Sequence, residues 1–203
     1  ISERLVQVFP NATCYAFEPV EETYAILRGR FTQEPGVRPV HAALGASTES
    51  VVIHVNGCPG TSSLLESSKS NIDCHAENCT RVRDEHVQCW SLDNWAHQHG
   101  VSRVDFIKID VQGLELEVLR GADRLLSECV VAVYSEAQLV EQYEGAAQFS
   151  EIDLYLRSRG FELYQIHHVF SGGIDERTTC CDALWVRSTE IARYKQRMKD
   201  ARH

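Results

Sequence analysis

Residues 104–122 carry one abrupt change of hydrophobic period, and that change limits the folds open to the chain. Phe106, Ile107, Ile109 and Val111 form a short apolar run of β-branched and aromatic residues, the pattern of a strand covered on both faces. Lys108 interrupts the run, so its side chain must snorkel or find a partner. After Asp110 and the pair Gln112-Gly113 the period becomes helical. Leu114, Val118, Ala122 and Leu126 fall four apart, with Leu119 and Leu125 beside them, which makes one apolar helix stripe. A strand, a tight turn and a helix in this order predict an α/β unit. Open α/β sheets bind ligands at the carboxyl ends of their strands, so Asp110 is a candidate site residue. Gly113 supplies the sharp turn.

The same unit recurs along the chain. A helix is predicted over 2–9, ended by Pro10-Asn11, and a strand over 13–17. Glu18-Pro19 ends that strand, and a helix follows over 21–31 with Tyr24, Leu27 and Phe31 on one face. In nucleotide-binding α/β folds an acidic residue at such a point accepts hydrogen bonds from ribose hydroxyls; the alternative is a carboxylate stabilised by the helix dipole. A third strand is expected over 37–44, ending in Ala42-Ala43-Leu44-Gly45, where small residues let a flat ring approach the backbone or simply make a turn. Later strands are expected over 50–55, 86–90, 129–134, 161–166 and 182–186, with helices at 91–95 and 151–159. Glu136 and His167-His168 then fall just beyond strand ends. The last two strands, joined by a turn at Gly172-Gly173, suit an antiparallel edge. The alternation predicts a doubly wound, Rossmann-like α/β fold with a mostly parallel sheet. One domain is expected over 1–188, followed by a helical tail over 189–203.

From Cys58 to Glu85 the chain is polar, with Leu64, Leu65 and Ile72 as its few apolar anchors. This predicts an insertion at about 56–86, an exposed hairpin and a loop, either a lid over the substrate or a solvated connection. Cys74, His75, Cys79 and His86 could supply four zinc ligands, yet their spacing matches no common pattern. A disulfide from Cys58 to Cys74 or Cys79 has no more support. The eight cysteines read as reduced thiols of a cytoplasmic protein, with no metal site assigned. A net charge of −9 argues against nucleic acid or an anionic membrane as partner. No apolar run of about 18 residues predicts a membrane span.

Ile107-Lys-Ile-Asp-Val-Gln-Gly-Leu-Glu-Leu-Glu-Val-Leu-Arg-Gly-Ala122 resembles the signature of the FkbM-type methyltransferases. The resemblance implies an S-adenosylmethionine-dependent O-methyltransferase with the class I methyltransferase fold. It implies that Glu18 and Pro19 hold the donor ribose, that Ala43 and Leu44 lie by the adenine, and that Asp110 faces the donor. The family usually has Glu where this chain has Gln112. A neutral amide keeps hydrogen bonding and loses charge. No glycine-rich loop and first strand precede Ile1, so the chain is expected to be a piece of a longer protein.

O-methylation needs an aligned acceptor oxygen and a group that takes the hydroxyl proton. Asp110, Glu136 and His167 are the catalytic candidates; Asp110 with Glu136 could also hold a divalent metal. The expected acceptor is a hydroxyl of a small molecule, sugar or glycan, and the sequence leaves the oligomeric state open. Two other readings remain at this point: a dinucleotide-dependent oxidoreductase on a related fold, and a non-catalytic remnant used for binding.

Overall fold

The structure is a computed structural model that describes residues 2–58, 60–69, 71–72, 79–172 and 176–201. In chain order the elements are α1 (Ser2–Val8), β1 (Cys14–Phe17), α2 (Glu21–Arg30), β2 (Val37–Val40), β3 (Ala43–Leu44), β4 (Glu49–Asn56), β5 (Arg81–Trp90) and α3 (Leu92–Gln98). They continue as β6 (Phe106–Ile109), α4 (Glu115–Arg120), α5 (Asp123–Glu128), β7 (Ala132–Gln138), α6 (Phe149–Ser158), β8 (Phe161–Ser171), β9 (Thr178–Arg187) and α7 (Ser188–Asp200).

The strands hydrogen-bond in three groups, β1-β2, β3-β5-β4 and β6-β7-β9-β8. The pairs β1-β2, β3-β5 and β6-β7 are parallel; β4-β5, β7-β9 and β8-β9 are antiparallel. The fold is therefore α/β with mixed sheets. The parallel ladders are short, and the long ladders are the antiparallel ones. The expected antiparallel edge is present, with β9 lying between β7 and β8.

The main core lies on one face of β6-β7-β9. Ile107, Ile109, Val133, Ala137, Ala183 and Trp185 alternate along the strands and meet Leu116, Leu119, Leu125, Leu126, Ile152 and Leu156 from the helices. Trp185 is fully buried, and its Nε1–H donates to Asp153 Oδ1 at 2.9 Å, so its one polar atom is satisfied. Tyr15 and Phe17 of β1 pack edge-on against Trp95 of α3, with ring centroids 4.8 and 4.9 Å apart.

Four expectations are corrected. The strand expected over 37–44 splits into β2 and β3, because Ala42 N turns back to Val40 O at 3.1 Å, a γ-turn-like kink. The helix expected from the 114–126 stripe breaks into α4 and α5 at Gly121. A Cβ there would run into the carbonyl of Gly45 and come within 3.2 Å of Ser91 Cα, so this turn is pressed against backbone. Asp93 then receives the amides of Arg124 and Leu125 at 2.8 and 3.1 Å, capping α5 from a distance. The apolar run at 129–134 starts its strand late, because the amides of Cys129 and Val130 both donate to Leu125 O and close α5. Glu136 consequently lies inside β7, not beyond it. Likewise β9 begins at Thr178, which gives Phe170 and Ser171 partners and places His167 inside β8.

The strands expected over 50–55 and 86–90 pair as the antiparallel hairpin β4-β5, whose first strand precedes the polar segment. It enters β5 five residues earlier than expected, at Arg81, where Arg81 pairs with Asp84 and Glu66 and Arg83 with Glu85. Helix α7 takes the place of the expected helical tail. Among the described residues no helix is long and apolar enough to cross a membrane.

Candidate active site

Strand alternation separates the apolar face of β6-β7-β9 from a polar one. Register sets Lys108 beside Tyr134, Glu136 beside Asp182 and Asp182 beside His167. Directly opposed residues share a face. Two of the expected catalytic residues, Glu136 and His167, therefore stand in one row, two strand spacings or roughly 10 Å apart. Asp110 follows Lys108 by two residues at the carboxyl end of β6.

The side chains at that end form a connected network. Lys108, whose run left it without a neutralising partner, donates Nζ to Asp110 Oδ2 at 2.6 Å. Gln112 Nε2 donates to Asp110 Oδ1 at 2.9 Å and to Glu136 Oε2 at 3.3 Å. Tyr143 OH donates to Gln112 Oε1 at 2.7 Å, and Ser63 Oγ donates to Gln112 O at 2.6 Å. Gln112 itself adopts φ +57°, and Gly113 follows at +107°; the second position is one that glycine enters freely. Glu115 is 1% exposed and accepts the amides of Val111 at 3.1 Å and Gly113 at 3.1–3.2 Å. It ties the turn from inside.

Burial sets the electrostatics. Glu136 is pushed up to about 7, first by desolvation, then by the charges of Asp110 and Glu115, with Lys108 opposing. Glu115 is raised by desolvation against the pull of its amide bonds. Desolvation also raises the Tyr143 phenol, which stays a hydroxyl donor. Farther along the row, Tyr134 OH and His168 Nδ1 both lie 3.0 Å from Asp182 Oδ2. His167 is half-buried, its ring 5.9 Å from that of Tyr134.

The polar insertion reaches this site. Beyond the Ser63 bond, Thr61 O lies 3.3 Å from Tyr143 OH, Ser67 bridges to Tyr143, and Ser68 Oγ donates to Glu141 O. A Cβ on Gly113 would meet Leu65, Tyr143 and Ala146 at 3.1–3.2 Å, so the segment packs tightly over the turn.

Glu18 occupies a second locus. Its Oε1 accepts Val20 N at 2.9 Å, fixing the turn that leads into α2. Desolvation raises its carboxyl, while that bond and the nearby His41 lower it and Glu85 raises it. Pro19 O is 3.0 Å from His41 Nε2, and His41 stacks on Tyr24. Glu85 accepts Glu21 N at 3.2 Å, a second carboxylate at this helix start that the sequence pattern did not single out. Ala43 and Leu44 pair with Cys89 and Trp90. Ala43 is buried with Val20, Ile53 and Val87, so a ligand would meet backbone there. A cavity of about 430 Å³ is walled by Tyr15, Arg38, Trp95 and His41; it shares His41 with the Glu18 turn and takes no wall from the Asp110 cluster.

Among the described residues no three His, Cys, Asp or Glu side chains are grouped to hold a metal. Cys74 and His75 lie outside the described residues. Gln112 and Tyr143 complete the site, and neither stands out by period. Gln112 was visible only as a departure from a motif, and Tyr143 sits in an irregular stretch.

Carboxylates gather at the carboxyl end of a strand, with a tight turn into a helix, at the place where open α/β sheets bind ligands. The chain matches the Methyltransferase FkbM domain over residues 3–163. It is 27% identical over 180 residues to methyltransferase sdnD of Sordaria araneosa, covering 76% of this chain and 66% of that protein. It is 26% identical over 149 residues to the 2-O-methyltransferase NoeI of Sinorhizobium fredii (strain NBRC 101917 / NGR234), covering 71% and 61%. The chain thus spans about two thirds or less of the length of these relatives. The crystal structure of methyltransferase FkbM from Methylobacillus flagellatus KT shares the fold, with a TM-score of 0.51 at 18% identity over 88% of this chain and 39% of that one. The chain belongs to the FkbM methyltransferase family.

Proposed function

We propose that the protein is an S-adenosylmethionine-dependent O-methyltransferase acting on a hydroxyl of a small molecule, sugar or glycan. One observation carries the reading: Asp110 and Glu136 share the amide of Gln112 at the end of β6, and Glu136 is pushed up to about 7. A carboxylate poised there takes a proton from an acceptor near neutral pH. The 2-O-methyltransferase among the relatives supports an oxygen acceptor.

The residues present fit the donor. Glu18 is half-buried with Oε1 on Val20 N, and its carboxylate can accept from ribose hydroxyls. Pro19 shapes that turn, and the backbone at Ala43 and Leu44 offers a flat wall for the adenine. When bound, the donor supplies a positively charged sulfonium and its electrophilic methyl group. Asp110 favours that positive charge, Glu136 takes the hydroxyl proton, and His167, in the same row, orients the acceptor. We assign these residues to one doubly wound domain over 1–188, with the segment at 61–68 as its cover.

Calorimetric titration of S-adenosylhomocysteine, followed by transfer of a labelled methyl group to a panel of polyols and sugars, tests the reading. Binding, with transfer that Glu136→Gln abolishes, is the expected result. Absence of any affinity would move the protein to the binding-remnant reading.

A further inference from the structure

We infer that Gln112 is a positioning residue, whose side-chain amide fixes the carboxylate of Glu136 and links it to the polar segment at 61–63. The inference rests on the proposal that Glu136 takes the acceptor proton.

The geometry assigns each atom of the amide. Gln112 sits at φ +57°, a backbone region that costs a non-glycine residue free energy unless its surroundings hold it. Two groups hold it. Ser63 Oγ donates to the backbone carbonyl at 2.6 Å, and Tyr143 OH donates to Oε1 at 2.7 Å. Tyr143 is 3% exposed, and its hydroxyl is the donor in this bond. With that one hydrogen on the shorter of its two contacts, 2.7 Å to Gln112 against 3.3 Å to Thr61 O, Oε1 faces Tyr143 and Nε2 faces the carboxylates. Its two hydrogens match two acceptors, Asp110 Oδ1 at 2.9 Å and Glu136 Oε2 at 3.3 Å. An amide does this without adding charge. A third carboxylate in its place would repel both.

The same geometry makes the coupling measurable. Glu136 is faced by Asp110 and Glu115 from the turn and α4, by Asp182 from β9 and by Lys108 from β6. Tyr143, Cys180 and Cys181 also feel its charge. Against this fixed background the Gln112 amide favours the ionised form, because it donates to it.

The test is a titration of carboxyl-labelled glutamate by carbon NMR in the whole chain, which needs neither donor nor acceptor. Gln112→Asn keeps a residue that tolerates positive φ and shortens the amide by one methylene. Tyr143→Phe keeps Gln112 and removes the hydroxyl that orients it. In Gln112→Asn, Glu136 should titrate about half to one pH unit higher; Gln112→Glu should raise it further by adding a like charge. Tyr143→Phe should shift it in the same direction by less, and should do nothing in the Gln112→Asn background. In turnover, the acid limb of the kcat/KM profile should move by the same amount. Unchanged titration of Glu136 in folded Gln112→Asn and Tyr143→Phe, or equal Tyr143→Phe effects in both backgrounds, would overturn the inference. S-adenosylhomocysteine binding measured on the same samples tests the methyltransferase reading separately, since the coupling between Gln112 and Glu136 shows in the titration whether or not the donor binds.

Discussion

Replacing Glu136 with Gln should stabilise the protein at alkaline pH and leave it nearly unchanged at acid pH. The folded protein holds the proton of Glu136 up to about pH 7, against an ordinary value of 4.5. Between those two values the unfolded chain releases the proton and the folded one keeps it. Stability therefore falls as pH rises, by about 1.4 kcal/mol per pH unit in the middle of that window. Below 4.5 the contribution is fully present; above about 7 it is gone. Integrated from pH 5 to pH 8.5, the loss from this one group is about 2.5 kcal/mol. Glutamine carries no proton to lose, and its side-chain oxygen can still accept the Gln112 amide. The variant's advantage should thus grow by about 2.5 kcal/mol over that interval, or roughly 5–10 °C in Tm for a chain of this size. Urea unfolding followed by circular dichroism at pH 5 and pH 8.5, on both proteins, reads the difference while other titrating groups cancel. Parallel stability curves for the two proteins across the interval would refute the placement of Glu136 in a desolvated, like-charged site.

Gly121→Ala should cost more than about 3 kcal/mol or abolish folding, because its Cβ meets backbone at Gly45 and Ser91, which cannot swing aside; the soluble yield and urea midpoint check this. Glu115→Ala strands the part-buried amide of Val111 and the buried amide of Gly113, a loss of about 2–6 kcal/mol at 1–3 per amide, read in the same unfolding assay. Glu18→Ala should weaken S-adenosylhomocysteine by about 1–3 kcal/mol in calorimetry if the carboxylate holds the ribose; unchanged affinity in a folded variant removes that role. Asp110→Asn should lower turnover far more than stability, and equal losses in both would make Asp110 structural.

The unit from β6 into α4 was legible because a short apolar run gives way to a four-residue stripe; cover on both faces of β6 was not borne out, since Ile107 and Ile109 are buried on one face while Phe106 is exposed and Lys108 joins the polar one. The helix break at Gly121 was not legible, because the backbone pressed against it, at Gly45 and Ser91, is distant in the sequence. Strand ends were misjudged for related reasons. Cys129 and Val130 look like strand residues, yet their amides close α5, and the shift carries Glu136 into β7. The row formed by Glu136, Asp182 and His167 needs the register of three strands, which no local pattern encodes. Residues 61–68 read as a polar loop, because its attachments run from side chains to backbone and leave no hydrophobic period.

Four carboxylates crowd the polar face, and their partners decide which of them can act as the base. Glu115 accepts the amides of Val111 and Gly113 and lies 1% exposed, so no acceptor reaches it. Asp182 is engaged by Tyr134 and His168. Asp110 has the ammonium of Lys108 at 2.6 Å as well as the Gln112 amide, an ion pair that Glu136 lacks. Glu136 rests on the longer 3.3 Å bond from the same amide, is repelled by Asp110 and Glu115, and is the carboxyl that burial pushes up to about 7. Two carboxylates that share one amide thus meet unequal partners, and we propose the role of base for Glu136. Lys108→Met leaves Asp110 without its cation, so the acid limb of the pH–rate profile should move upward, because Lys108 is also the group that lowers Glu136. A profile that stays in place would show that Lys108 does not reach the reacting pair.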